Sequence, residues 1–263
     1  MKIAKILFVT FLFCGAWAQA AEPVKWTGFY VGLDVAHRSV TADWTATQTY
    51  NPDGSSPAYF NEGNVTTDAI FDIGPDHQFK PKGVAFGVRF GYDTMLGPKW
   101  VLGGDLRYVV GSKDESIDWI PGLATTPGEL GPSTSKVEAK NGLTLRARAG
   151  YLVQPQTLVY GTLGFAQQKL EASTVCPSDT YICNPEFGTR TGGASKNLTG
   201  FTVGVGVEYA VAPKWHLAFE YNYAKFGDFN FVALQYEDGA SYGADAKIEA
   251  KSGTFTLGAL YKF

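Results

Sequence analysis

The chain repeats short segments in which apolar residues alternate with small or polar ones. In the segment that begins at Gly28, apolar residues occupy every second position from Phe29 to Val35, and Gly32 and Asp34 fall between them. Alternation with a period of two is typical of strands that separate two environments. The facing is clear in seven segments and ambiguous in TLVYGTLGFAQQ, and together they predict eight strands: GFYVGLDVAHR, GVAFGVRFGYD, WVLGGDLRYVV, GLTLRARAGYL, TLVYGTLGFAQQ, GFTVGVGVEYA, WHLAFEYNYA and GTFTLGALYKF.

The connections between these segments alternate between short and long. Three short ones contain a proline, which suits turns and not central strands: DTMLGPK, VQPQ and VAPK. The other four are long and polar and cover about 39–81, 112–140, 171–196 and 227–251. Short turns at one end and long loops at the other are typical of up-and-down outer-membrane barrels, whose strands need roughly 9 to 11 residues to cross a bilayer. The pattern predicts an all-β, eight-stranded antiparallel up-and-down transmembrane β-barrel with short periplasmic turns and four long extracellular loops.

The alternation by itself also fits a soluble β-sandwich with the apolar face inside. The polar face, however, carries charges near the middle of the strands: Asp34, Arg89, Asp105, Arg107, Arg146, Arg148, Glu208 and Glu220. One arginine on the lipid face of a barrel costs roughly 2–4 kcal/mol at the bilayer midplane. In a barrel these side chains must therefore point into the lumen, where the four acids can pair with the four bases. We interpret them as a network that plugs the lumen, with an ion pathway as the alternative.

Aromatic residues at the strand ends favour the membrane barrel over the sandwich. Interfacial girdles require Tyr and Trp at these positions, and we expect a girdle at the short-turn end formed by Trp26, Tyr92, Trp100, Tyr151, Tyr209, Trp215, Tyr261 and Phe263. The last segment alternates through to Phe263, so it must pair along its whole length. A strand of this kind closes a barrel against the first strand, because every backbone group in lipid must be paired.

The N-terminus indicates export. Lys2 and Lys5 precede an uncharged apolar run, and Ala18-Gln19-Ala20 forms a cleavage signal. We expect a signal peptide over 1–20 and one barrel domain over 21–263. Without Lys2 and Lys5, the 22 basic and 25 acidic residues of the chain leave a charge near −5, and no basic patch indicates a nucleic-acid partner.

The expected mature chain has two cysteines, Cys176 and Cys183, in CPSDTYIC. Cysteines of exported proteins usually pair because the compartment is oxidising. A metal site is the alternative reading, but two thiolates do not complete a zinc site and no histidine lies near them. We expect a disulfide, and we expect no cofactor.

Several of these segments resemble a known family. WTGFYVGLDVA, GVAFGVRFGYD and the terminal YKF resemble the small outer-membrane β-barrels of the OmpA-like and opacity type, especially porin-family surface antigens of alpha-proteobacteria. The resemblance implies insertion in the outer membrane of a Gram-negative bacterium among lipid and lipopolysaccharide. It also implies recognition of the C-terminal strand by the barrel-assembly machinery, and exposed loops that contact a host or surface ligand.

Candidate chemistry is sparse. His37 and Ser39 form an H-x-S pair that is similar to part of the motif of lipid A deacylases, but no partnering acid can be placed. The expected function is therefore structural and not enzymatic. It consists of membrane integrity and surface presentation, and adhesion is one role that surface presentation could serve. A narrow porin for small solutes is the main alternative, and a lipid-modifying enzyme is the third.

Overall fold

The computed structural model describes residues 23–50, 76–122, 133–177, 188–235 and 243–263. Their regular structure is a single antiparallel sheet. Its strands are β1 (Gly28–Tyr50), β2 (His77–Phe79), β3 (Lys82–Leu96), β4 (Trp100–Val110), β5 (Lys113–Ile117), β6 (Thr134–Gln154), β7 (Thr157–Cys176), β8 (Arg190–Ala210), β9 (Trp215–Leu234) and β10 (Gly243–Lys262). Within these ranges, no helix is long and apolar enough to cross a membrane.

The sheet closes on itself. Each long strand pairs with the next along the chain, and β10 returns to pair with β1 from Tyr30↔Lys262 to Tyr50↔Gly243. The short strand β2 lies beside β1 in line with β3, and β5 lies beside β6 in line with β4. Of the ten strands, eight therefore form the barrel wall, as the sequence predicts. Closure pairs the last strand along its length, and the Phe263 amide donates to the Phe29 carbonyl over 2.9 Å.

Most of the strands are about twice as long as expected. Five of the eight wall strands have 20 or 21 residues and β1 has 23, whereas the sequence pattern predicted about ten. Much of what the pattern assigned to long polar connections is strand: β1 runs on to Tyr50, and β6 starts at Thr134. The three short turns are where the sequence placed them, over 97–99, 155–156 and 211–214.

A reversal of polarity along each long strand explains this difference. In the first half of β1, apolar side chains such as Leu33 and Val35 face outward, and Asp34 faces the lumen. Beyond Arg38, Val40 and Trp44 are buried inside, while the outward positions are the hydroxyl and carboxylate residues of SVTADWT. In β1 the alternation continues unchanged to Ala46, whereas in β6 and β9 a bulge near the reversal shifts it by one residue. In each of these strands the environment of the outer face changes from lipid to water. The reversal therefore marks the outer boundary of the hydrocarbon layer.

The reversal makes the effect of a charge depend on its height along one strand. Val205→Arg in β8 places a guanidinium on the apolar outer face, whereas Thr199→Arg places it on the same face of the same strand, just beyond the reversal. We expect Val205→Arg to lower the free energy of unfolding by roughly 2–4 kcal/mol, and Thr199→Arg by at most about 1 kcal/mol. Urea unfolding in phospholipid vesicles measures both values. Equal losses would contradict the assigned boundary.

Candidate functional site: the charged lumen

The polarity reversal divides the barrel into an inner half, which contains the short turns, and an outer half beyond the reversal. The eight charged residues singled out in the sequence all lie in the lumen of the inner half. Each is at most 4% exposed. They come from six strands and occupy inward positions of the two-residue alternation. The strand pattern thus brings together side chains that are as far apart in sequence as Asp34 and Glu220.

Glu220 is the centre of the group nearer the outer boundary. It forms ion pairs with Arg89 at 3.3 Å and with Arg107 at 3.1 Å, and it contacts Arg146. Asp34 bridges the first two arginines, because it lies 3.2 Å from Arg89 and 2.8 Å from Arg107. Asp105 accepts two hydrogen bonds from Arg146 at 2.9 Å. Three acids therefore compensate three guanidinium groups.

A second charged group lies nearer the short turns. Arg148 donates to Glu208 over 2.6 Å and lies 3.5 Å from Asp93. Lys262 lies 2.6 Å from Asp93 and 3.3 Å from Glu208. His216 Nδ1 is 2.8 Å from the other oxygen of Glu208. With both groups counted, the network contains five carboxylates, four guanidinium groups and the Lys262 ammonium group.

Asp93 and Lys262 were not among the predicted site residues, although the alternation contained them. Asp93 is two positions beyond Gly91 on the inward face of β3, and Lys262 is two beyond Leu260 on β10. Both residues lie near the ends of the predicted segments GVAFGVRFGYD and GTFTLGALYKF, and only charges near the middle of the strands were selected. Including the inward charges at the strand ends would have found both residues.

Two tyrosines join the groups. The Tyr160 hydroxyl donates to Glu220 over 2.9 Å, and the Arg148 guanidinium lies 4.2 Å from the Tyr160 ring centroid. The Tyr30 hydroxyl accepts from Arg148 over 3.3 Å. Both rings need a glycine beside them, because a Cβ at Gly91 would lie 2.3 Å from Tyr30 and one at Gly206 would lie 2.6 Å from Tyr160. The glycines of the inward face therefore make room for the rings that tie the network together.

The lumen of the outer half is filled differently. Trp44 is fully buried there and packs edge-on against Phe231 at a centroid distance of 4.8 Å. It belongs to an apolar cluster that includes Phe79, Leu170, Phe226 and Ile248. Between this cluster and the charged network lies a cavity of about 50 Å³, lined in part by Arg38, Arg107 and Gln168. That volume suits only a few water molecules.

The girdle aromatics face outward with one exception. Seven of the eight lie on the outer surface near the short turns: Tyr92, Trp100, Tyr151, Tyr209, Trp215, Tyr261 and Phe263. Trp26, which was expected in the girdle, is only 3% exposed. Its ring packs edge-on against His216 at 4.8 Å, and its indole N–H donates to the Pro155 carbonyl over 3.0 Å. Trp26 precedes β1 and folds into the mouth of the barrel, so the interfacial assignment was wrong for this residue.

The remaining candidates lie in the outer half of the wall. His37 and Ser39 face outward at the polarity reversal, and neither forms a hydrogen bond or ion pair with a carboxylate of the described ranges. Cys176 is disulfide-bonded at the end of β7. Cys183 lies outside the described residues, as does the expected signal peptide over 1–20.

Glu220 offers the most direct test of the network. In Glu220→Gln the side chain keeps its size but loses the charge that compensates three arginines. We expect a loss of about 3–5 kcal/mol in the free energy of unfolding, because breaking a buried ion pair leaves uncompensated charge. Urea unfolding in vesicles measures it.

The matched control is Glu249→Gln in β10, where the carboxylate lies on the outer surface and pairs with Lys247 at 2.7 Å. Exposed pairs contribute at most about 1 kcal/mol. If both variants lost the same stability, the lumen network would not be the stabilising element described here.

Comparison with known proteins agrees with this geometry. The family model described as outer membrane protein beta-barrel domain matches residues 6–263. The 31 kDa outer-membrane immunogenic protein of Brucella melitensis is 29% identical over 218 residues, which cover 82% of this chain and 78% of the relative. The same protein of Brucella suis matches equally.

Two solved structures are similar to this chain at low sequence identity. The outer membrane protein OprG from Pseudomonas aeruginosa is 14% identical, with 92% of this chain and 98% of that chain covered and a TM-score of 0.51. Neisserial surface protein A is 17% identical, with 90% and 98% covered and a TM-score of 0.38. From its family match and its closed antiparallel barrel, this chain is a member of the outer-membrane β-barrel protein family and resides in the outer membrane of a Gram-negative bacterium.

Proposed function

We propose that this protein is a closed structural barrel that stabilises the outer membrane and presents its outer strands and loops at the cell surface. The filled lumen supports this function more than any other observation. Ion pairs occupy the lumen within the membrane, and apolar side chains occupy it beyond the membrane. A solute would have to displace both.

Surface presentation follows from the length of the strands. Beyond the polarity reversal, the wall continues as strand to residues such as Tyr50 and Cys176, with lysine, glutamate and threonine outward. These strand ends form a polar collar beyond the lipid. The description of the Brucella relatives as immunogenic supports a surface role, and we propose that the collar and loops contact host or surface ligands.

Export and assembly complete the proposed function. We propose that residues 1–20 direct export and are removed. We also propose that the barrel-assembly machinery recognises β10 together with the outward-facing Phe263 that follows it, and that Cys176 pairs with Cys183. Lipid and lipopolysaccharide surround the wall of the assembled barrel.

We assign no catalytic role to His37 and Ser39. Nucleophilic catalysis needs a base that is oriented by an acid, and His37 has no carboxylate contact within the described part of the chain. We expect lipid A from cells that express His37→Ala/Ser39→Ala to have the same mass spectrum as lipid A from cells with the unmodified protein. Loss of a modified lipid A species would instead support the enzyme alternative.

Planar-bilayer conductance tests the closed lumen. The refolded protein is expected to give no steady single-channel steps, because the network leaves no continuous aqueous path. A porin refolded and reconstituted in the same way controls for insertion, and heat-modifiable gel mobility shows that the inserted protein is folded.

Steady conductance steps from the folded protein would contradict the closed barrel and support the narrow porin. The size of those steps would then report the width of the path past Glu220 and Trp44.

A further inference from the structure

The outer wall carries an ordered set of side chains where β9, β10, β1 and β3 cross the hydrocarbon boundary. Strand register aligns them in rows. The row on the lipid side contains Tyr221, Phe255, His37 and Val84. The next row contains Tyr223, Gly253, Ser39 and Lys82, and the row beyond contains Lys225, Lys251 and Thr41. From lipid to water, the surface therefore changes from aromatic to small and hydroxyl-bearing and then to cationic.

The middle row forms a concavity in the outer surface. Gly253 and Ser39 are shorter than the tyrosines and lysines around them, and a Cβ at Gly253 would already contact the Tyr221 hydroxyl at 3.0 Å. The concavity has a volume of about 450 Å³ and is lined by residues of the three rows, including Lys82, Lys251 and Phe255. Small-molecule sites are of this size, roughly 300–1,000 Å³.

The concavity is lined by Lys82 and Lys251 and by no carboxylate, and the acidic row of Asp43, Glu249 and Asp228 lies one step farther toward water. Lys251 lies 3.3 Å from Asp43, and both side chains are partly exposed. Lys82 and Lys225 form no ion pair with any residue in the described ranges. Elsewhere on the wall, lysines at a similar height are compensated, since Lys140 lies 2.5 Å and Lys169 3.1 Å from Glu171.

We propose that this concavity binds the phosphate-bearing headgroup of an outer-leaflet glycolipid. The ammonium groups of Lys82 and Lys251 lie where they can hold a phosphate, and the hydroxyls of Ser39 and Tyr223 can hydrogen-bond to a sugar. The acyl chains of the same molecule extend toward the hydrocarbon layer and contact Phe255 and Tyr221. In the outer leaflet of this membrane, the lipid with that chemistry is the lipid A part of lipopolysaccharide.

The position favours a lipid over a free anion. A soluble phosphate needs only the cations, but here the cations lie directly above an aromatic row that faces hydrocarbon. An amphiphile can contact both rows at once. The site depends on the position of the membrane boundary and not on whether the lumen conducts, so it can be tested separately from the closed barrel.

The test measures binding of three probes to the refolded protein in detergent micelles by native mass spectrometry. The probes are bisphosphorylated lipid A, the same lipid without phosphates, and inorganic phosphate. We expect the unmodified protein to bind bisphosphorylated lipid A at least about tenfold more tightly than either other probe, because lysines near an anionic headgroup each strengthen binding severalfold.

Two variants separate charge from shape. Lys82→Gln/Lys251→Gln removes two cations from the concavity, and its control, Lys140→Gln/Lys169→Gln, removes two compensated cations from another part of the wall. Gly253→Leu fills the concavity with all lysines in place, and its control is Gly161→Leu, at another outward-facing glycine. We expect both concavity variants to weaken lipid A binding at least about tenfold and both controls to weaken it less than twofold. Heat-modifiable mobility verifies that each variant is folded.

Three results would overturn the site. Equal weakening by the two lysine pairs would mean nonspecific attraction. Equal binding of dephosphorylated lipid A would mean that the phosphates are not recognised, and equal binding of inorganic phosphate would mean that the lipid is not. If Lys82→Gln/Lys251→Gln did not fold, Gly253→Leu would decide the question, since unchanged binding by that variant would also reject the concavity.

Discussion

The compensation of buried charge in the lumen is the interaction on which the rest of the structure depends. Arg89, Arg107 and Arg146 lie inside the barrel at the depth of the membrane, where an uncompensated cation would cost several kcal/mol. Glu220 contacts all three, and Asp34 and Asp105 supply the remaining negative charge. These pairs require every strand to keep its register, because a one-residue slip would move a guanidinium into lipid and an aliphatic side chain into the network. The same pairs fill the space that a channel would need, so stability and closure have one cause.

Beyond the membrane the polarity of the two faces of the wall is reversed. Water surrounds the wall there, and an apolar interior becomes the stable arrangement, as in a soluble barrel. Trp44, Phe79 and Phe231 form that interior. In both halves, the outward side chains have the polarity of the surrounding lipid or water. The inward side chains contact those of the opposite strands, through ion pairs in one half and apolar packing in the other. Their junction is also where the outer surface carries the concavity between Lys82 and Lys251.

Much of this fold could be predicted from alternation alone, because period two is a direct consequence of strand geometry. It gave eight wall strands, closure of the last strand on the first and the inward parity of Arg89 and Glu208. It did not give the outer halves of the strands, because the polarity of the outward face reverses near Ser39 and the change resembles the start of a loop. Trp26 was misplaced because it precedes the first strand, where the alternation does not say whether a side chain points inward or outward. Individual ion pairs, such as Lys262 with Asp93, depend on how eight strands are staggered around a ring, which no single segment encodes.

The orientation of the wall is tested most directly by nitroxide labels placed one at a time on the outward face of β10, at positions 249, 251, 253, 255, 257, 259 and 261, in protein reconstituted into lipid vesicles. The ratio of collision rates with oxygen and with a water-soluble nickel complex reports the depth of each label. The structure predicts aqueous exposure at 249 and 251, a sharp rise in oxygen preference between 253 and 257, and a fall again towards 261. A profile that stayed aqueous from 249 to 261 would show that the apolar face does not meet lipid, and the inward assignment of the arginines would fail with it.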